Sequence, residues 1–155
     1  MKRTFILIIC LISLVYLSTC SSSNKQSFYG TYSFEEVSYL SPLFIGAEDF
    51  INEHMEETKY TIEEDIFKIQ FAFYIVEFSS PIYVREEIQN STATLSDVNA
   101  LIGNEVECQY SIYDNDGIKT KWRLFVSTGY LWVGSYVDNT TDGSEIIMDI
   151  YKLSK

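Results

Sequence analysis

The segment from Glu105 to Val137, EVECQYSIYDNDGIKTKWRLFVSTGYLWVGSYV, decides the fold. Glu105–Tyr113 and Ile118–Ser127 are rich in aromatic and β-branched residues, and Asp114-Asn115-Asp116-Gly117 between them is a hairpin turn. A second tight turn at Ser127-Thr128-Gly129 leads into a third strand, Tyr130–Val137. Successive strand side chains point to opposite sides of a sheet, so alternation assigns faces. Trp122, Leu124 and Val126 share one face, with Lys119, Lys121, Arg123 and Ser127 on the other. Tyr110 and Ile112 share a face on the preceding strand, as do Trp132 and Tyr136 on the following one. Cys108 alternates in step with Val106, Tyr110 and Ile112 and reads as a small buried hydrophobe.

The same signals continue on both sides. A loop from Asp138 to Ser144 precedes a last strand, Glu145–Leu153. Upstream, Phe28–Leu40 is a long strand, with Tyr32 and Phe34 on one face and Val37 and Tyr39 on the other, and Ser41-Pro42 breaks it. Ala47–Glu57 places Phe50, Ile51 and Met55 at helical spacing among acidic residues, which predicts a short amphipathic helix. Lys59–Ile62, Ile66–Gln70, Phe71–Phe78 and Ile82–Ile88 return to strand patterning. Ser96 caps a brief helical turn through Leu101-Ile102 that Gly103 ends. Eight or nine strands joined mostly by short turns predict a mainly β fold: an antiparallel meander closed into a barrel of about eight strands, with one short helix after the first. A two-layer β sandwich is the alternative, because alternation does not give strand order.

At the start of the chain, Lys2 and Arg3 precede an uncharged apolar segment, Phe5 to Leu17, which is the layout of a secretory signal. The segment is shorter than the roughly 20 apolar residues of a membrane span. Leu17-Ser18-Thr19-Cys20 resembles the lipobox of bacterial lipoproteins, with Thr19 standing where that family has Gly, Ala or Ser. The resemblance implies cleavage between Thr19 and Cys20, acylation of Cys20, and an extracytoplasmic protein held at the cell membrane or the outer membrane by that lipid. Two or more acyl chains give stable attachment where one does not. Residues 1–19 are then the signal peptide, 20–27 a polar flexible tether, and 28–155 a single domain.

Gly30-Thr31-Tyr32 on the first long strand is similar to the Gly-x-Trp motif that opens the lipocalins and their calycin relatives, with Tyr32 in place of Trp and Lys152 near the closing strand in place of Arg. The resemblance implies an up-and-down barrel that holds a small ligand.

Composition narrows the partners. Aromatic residues make up 15% of the 155 residues, enough large apolar surface for a packed core. The net charge of −11 repels nucleic acid and anionic headgroups. Nothing in the sequence brings a catalytic set together. The carboxylates fall in surface runs such as Glu63-Glu64-Asp65, and the single histidine, His54, sits among Glu53, Glu56 and Glu57. The stretch from Asp138 to Asp149 has partial calcium-loop spacing, but Glu145–Leu153 reads as strand and Asp149 is a weak final ligand. The expectation is therefore a non-enzymatic lipoprotein without metal or cofactor. A small apolar or amphipathic ligand would lie among Tyr110, Ile112, Trp122, Leu124, Trp132 and Tyr136. The alternative is an envelope interaction module, an inhibitor or assembly factor with a packed β core, that docks a protein through its acidic face.

Overall fold

The computed structural model describes residues 26–44, 48–86, 94–138 and 144–155. The expected signal peptide, Thr19, Cys20 and most of the expected tether lie outside the described residues, as do residues 139–143 of the calcium-like loop. The hairpin around Asp114–Gly117 forms. β6 (Cys108–Tyr113) pairs antiparallel with β7 (Lys119–Ser127). Asp114 organises their turn, its Oδ1 accepting the backbone N–H groups of Asp116 and Ile118 at 3.0 and 2.8 Å, while Gly117 takes φ 75°. β8 (Tyr130–Asp138) follows across Thr128-Gly129 and β9 (Glu145–Ser154) pairs beside it.

The first half of the chain extends this sheet from its other side. β1 (Gly30–Leu40) pairs with β9, and β2 (Lys59–Ile62), β3 (Ile66–Gln70) and β4 (Ile75–Ser79) follow in hairpin order. β5 (Ile82–Glu86) pairs with β6 at the far edge. Among the described residues the result is one nine-stranded antiparallel sheet in the order β4-β3-β2-β1-β9-β8-β7-β6-β5. Its two edges come together without pairing. The closed barrel is not formed.

The reason is geometric. Every neighbouring pair in the order is antiparallel, so β4 and β5, at its first and ninth places, run in the same direction. Only Ser80 and Pro81 separate them in the chain, and a parallel pair needs a crossover of a dozen or more residues. β4 and β5 are therefore two halves of one bent strand, the first half on β3 and the second on β6. Ser80 makes the bend at φ 50°, with its N–H bonded to Asp65 O at 2.7 Å, and Pro81 has no N–H to offer a ladder.

The sheet nonetheless curls. Phe67 on β3 lies 6.4 Å from Trp122 on β7, centroid to centroid, although four strands stand between them in the sheet. Phe28 and Tyr110 meet at 4.6 Å, and the Tyr83 hydroxyl on β5 donates to Glu63 O at 3.1 Å. The concave face buries Tyr32, Tyr60, Ile62, Phe67, Ile69, Ile112, Trp122, Leu124, Val133, Tyr151 and Leu153 as one core, with Cys108 inside it. Helix α1 (Glu48–Met55), the expected helix after the first strand, adds Met55 to this core and Ile51 at its margin.

A second helix, α2 (Thr94–Ile102), is longer than the turn expected there and covers the convex face. Val98 and Ile102 pack with Val106, Phe125, Trp132, Tyr136 and Ile150. Gly103 ends the helix at φ 65°, its N–H returning to Asn99 O at 3.0 Å. On β1, register shifts at Glu35 and Ser38 put Phe34 and Val37 against the same concave core, where strict alternation placed them on opposite faces, while Tyr39 packs on the convex side.

Candidate functional site

The six residues expected to hold a ligand are divided between the two faces. Tyr110, Ile112, Trp122 and Leu124 lie in the concave core. Trp132 and Tyr136 lie on the convex face beneath α2. The six therefore do not line one cavity. The length of the β7–β8 turn explains this: with two residues in the loop, Ser127 pairs with Tyr130 and Trp132 with Phe125, and Phe125 alternates with Trp122 and Leu124. The space in front of Tyr110 and Trp122 is taken by Phe28 and Phe67 from the opposite side of the curl.

A cleft of about 570 Å³ opens instead at one end of the curl, between the start of β1, the β7–β8 turn and the end of β9. Its floor is apolar, made by Phe28, Tyr32, Val126, Leu131 and Leu153, and its rim carries Glu35, Glu107, Ser127, Thr128, Ser154 and Lys155. The Tyr32 hydroxyl donates to Phe28 O at 2.7 Å, which ties the segment before β1 across the floor. Burial, reinforced by the nearby Glu63 carboxylate, raises the Tyr32 phenol above its ordinary pKa and keeps it a donor. Lys155 Nζ stands 5.3 Å above the Tyr32 ring, and Glu107 accepts the Thr128 N–H at 2.7 Å, which holds the turn in place. The arrangement offers an apolar surface between a cation and two carboxylates, the chemistry of a site for an amphipathic molecule. The sequence shows Tyr32 as a face residue of a strand and part of a motif-like stretch, and Ser127-Thr128-Gly129 as a turn. Nothing local says that they meet.

A buried polar network occupies the convex face near α2. Arg123 is 0% exposed. Its Nη1 donates to Thr120 O at 2.5 Å and Trp122 O at 2.8 Å, and its Nη2 is paired with Glu145. Its guanidinium sits 5.2 Å over the Tyr136 ring. Lys119 bridges Glu145 at 3.0 Å and Glu86 at 3.9 Å, and Glu86 in turn accepts hydrogen bonds from Gln109 and Ser111. Burial pushes the Tyr136 phenol far above its ordinary range in spite of Arg123. Every cation here has its carboxylate, so the network reads as structural.

The remaining candidates have ordinary partners. His54 Nδ1 donates to Phe50 O at 2.8 Å. Asp149 accepts the Ser135 N–H at 3.1 Å, which engages the last place of the calcium-like spacing. No group of His, Cys, Asp and Glu among the described residues is arranged to hold a metal. The fold and the cleft together define an antiparallel β protein with an amphipathic recess at one end of its curl. Comparison with protein-family models, with curated proteins and with solved structures returns no match.

Proposed function

We propose that this chain is a membrane-anchored extracytoplasmic lipoprotein, lipocalin-like in its strand order, that binds a small amphipathic molecule and catalyses no reaction. The observation that carries the reading is the cleft of about 570 Å³, which has the size and the mixed lining of small-molecule sites. The recess at the end of the curl takes the place of the six-residue lining expected inside it. Ser27 is on the cleft rim, seven residues after Cys20. Seven residues reach at most about 25 Å when extended, so an acylated Cys20 keeps the cleft close to the membrane that anchors it, facing a supply of amphipathic molecules.

Two measurements test this. Labelling with radioactive palmitate should mark the wild-type chain and not Cys20→Ser; equal labelling of both removes the anchor. Native mass spectrometry of the full chain should release a small amphipathic mass that Thr128→Trp, which fills the cleft mouth, does not carry. A bare wild-type protein that also fails to bind a fluorescent fatty acid rejects the ligand site.

The second reading, an envelope interaction module, is favoured by a different observation: Phe50 and Phe73 are 62% and 84% exposed.

A further inference from the structure

Three exposed aromatics, Phe50, Phe73 and Tyr74, lie at the end of the sheet away from the cleft, whereas Tyr130 is exposed at the cleft itself. β1 starts at the cleft with Gly30, and the pairs Ser33 with Lys59 and Lys59 with Gln70 set the direction of the neighbouring strands. The turn after Gln70, which carries Phe73 and Tyr74, therefore points away from the cleft, and α1 leads into β2 on that same side. His54 joins the two elements: its ring stacks on Phe50 at 3.9 Å and lies 6.2 Å from Phe73. Tyr74, also exposed, stacks on Phe71 at 4.3 Å. Single exposed apolar residues are ordinary, but Phe50 and Phe73, on two elements, are joined through the half-buried His54 ring and form a contact surface.

Charge states what the surface fits. Helical spacing puts Glu53 and His54 three and four residues after Phe50, on its face of α1. Asp49, Glu53, Glu56 and Glu57 are all exposed around it. Between Lys25 and Lys59 the chain contains no Lys or Arg, and Lys59 is turned to Ser33, whose Oγ it meets at 2.8 Å. Around α1 the patch is thus apolar at its centre and anionic at its rim, with Lys121 the cation on the side of Asp149 and Tyr74. A second copy of the chain would bring like charge against like charge, and so would an anionic membrane.

We propose that Phe50, His54 and Phe73 form a docking surface for a protein partner that presents apolar side chains flanked by Lys or Arg. The inference deepens the interaction-module reading and is independent of the cleft. It also gives the domain two working ends, one toward the tether and one away from it.

The probe is a labelled 18-residue amphipathic peptide of Lys and Leu, titrated by fluorescence anisotropy into the full chain in zwitterionic nanodiscs at 150 mM salt, with empty nanodiscs as blank. The expected result is saturable binding that Phe50→Ser/Phe73→Ser weakens at least tenfold, that Thr128→Trp leaves unchanged, and that is lost when Glu replaces Lys in the peptide. Circular dichroism of the double variant should match wild type, because both rings are exposed. Equal binding by wild type and the double variant overturns the proposal, since general attraction to an acidic protein then explains the signal. A Lys–Ser peptide binding as well as the Lys–Leu one overturns it in the same way. Loss on Thr128→Trp alone moves the partner to the cleft, which rejects this surface and keeps the interaction module. No binding to any peptide rejects both.

Discussion

Replacing Glu145 by Ala should destabilise the domain more than replacing Arg123 by Met, although the two side chains form one ion pair. The difference follows from where each partner lies. Arg123 is 0% exposed and Glu145 is 35% exposed. Removing the carboxylate leaves a guanidinium buried against the Tyr136 ring with no direct counter-charge, and losses of this kind run at about 3–5 kcal/mol. Glu86 remains nearby through Lys119, so the lower end, about 3 kcal/mol, is expected. Removing the arginine leaves a carboxylate that reaches water and still has Lys119 at 3.0 Å. Met fills much of the volume, but it forfeits the Tyr136 ring contact and the hydrogen bonds to the Thr120 and Trp122 carbonyls, so the cost should be about 1–2 kcal/mol. Urea unfolding at pH 7.5, followed by the fluorescence of Trp122 and Trp132, gives both values if the slopes agree. The double variant should resemble Arg123→Met alone. Equal losses for the two single variants would refute the argument, because the pair would then be worth the same from either side.

Other outcomes follow from single contacts. Gly134→Ala should lower stability by about 1–3 kcal/mol, against the usual gain from replacing a strand glycine, because a Cβ there meets Phe125 Cε2 at 2.9 Å and Asp149 O at 3.1 Å; a melting temperature at or above wild type would show that the sheet yields. Asp149 has its pKa raised by burial, which outweighs the hydrogen bonds from Ser135 and Tyr151. Its folded form therefore holds the proton more tightly than the unfolded chain, and stability is lost as pH rises from the unfolded pKa through the folded one. Asp149→Asn removes that loss, so its stability relative to wild type should improve between pH 3.5 and pH 7, as measured by urea unfolding; a pH-independent difference would exclude the buried charge as the cause.

How far the fold was legible depended on the distance over which each signal acts. The Asp114 and Gly129 turns, the strands beside them and α1 were readable because a turn and its flanking alternation involve a few neighbouring residues. The division of Trp132 and Tyr136 from Trp122 was also readable in principle: a two-residue turn sets the register, and the register sets the face. Alternation within each strand alone does not carry that face across the turn. The positions of Phe34 and Val37 were not readable, since a bulge has no signature in alternation alone. Arg123 is the clearest case. Alternation puts it with Lys119 and Lys121, and its complete burial goes with Glu145, 22 residues away, and with the Tyr136 ring.

The amino-acid sequence by itself determined that this chain builds an antiparallel meander with an acidic surface, because turn chemistry, side-chain alternation and charge are properties of neighbouring residues. Tertiary structure alone decided that the meander curls without closing, since that rests on the directions of β4 and β5 and on the bend at Ser80. It alone decided that the recess lies at the end of the curl and not within it, because residues from the start of β1, the β7–β8 turn and the end of β9 must meet to form it, while Phe28 and Phe67 fill the space that alternation left open.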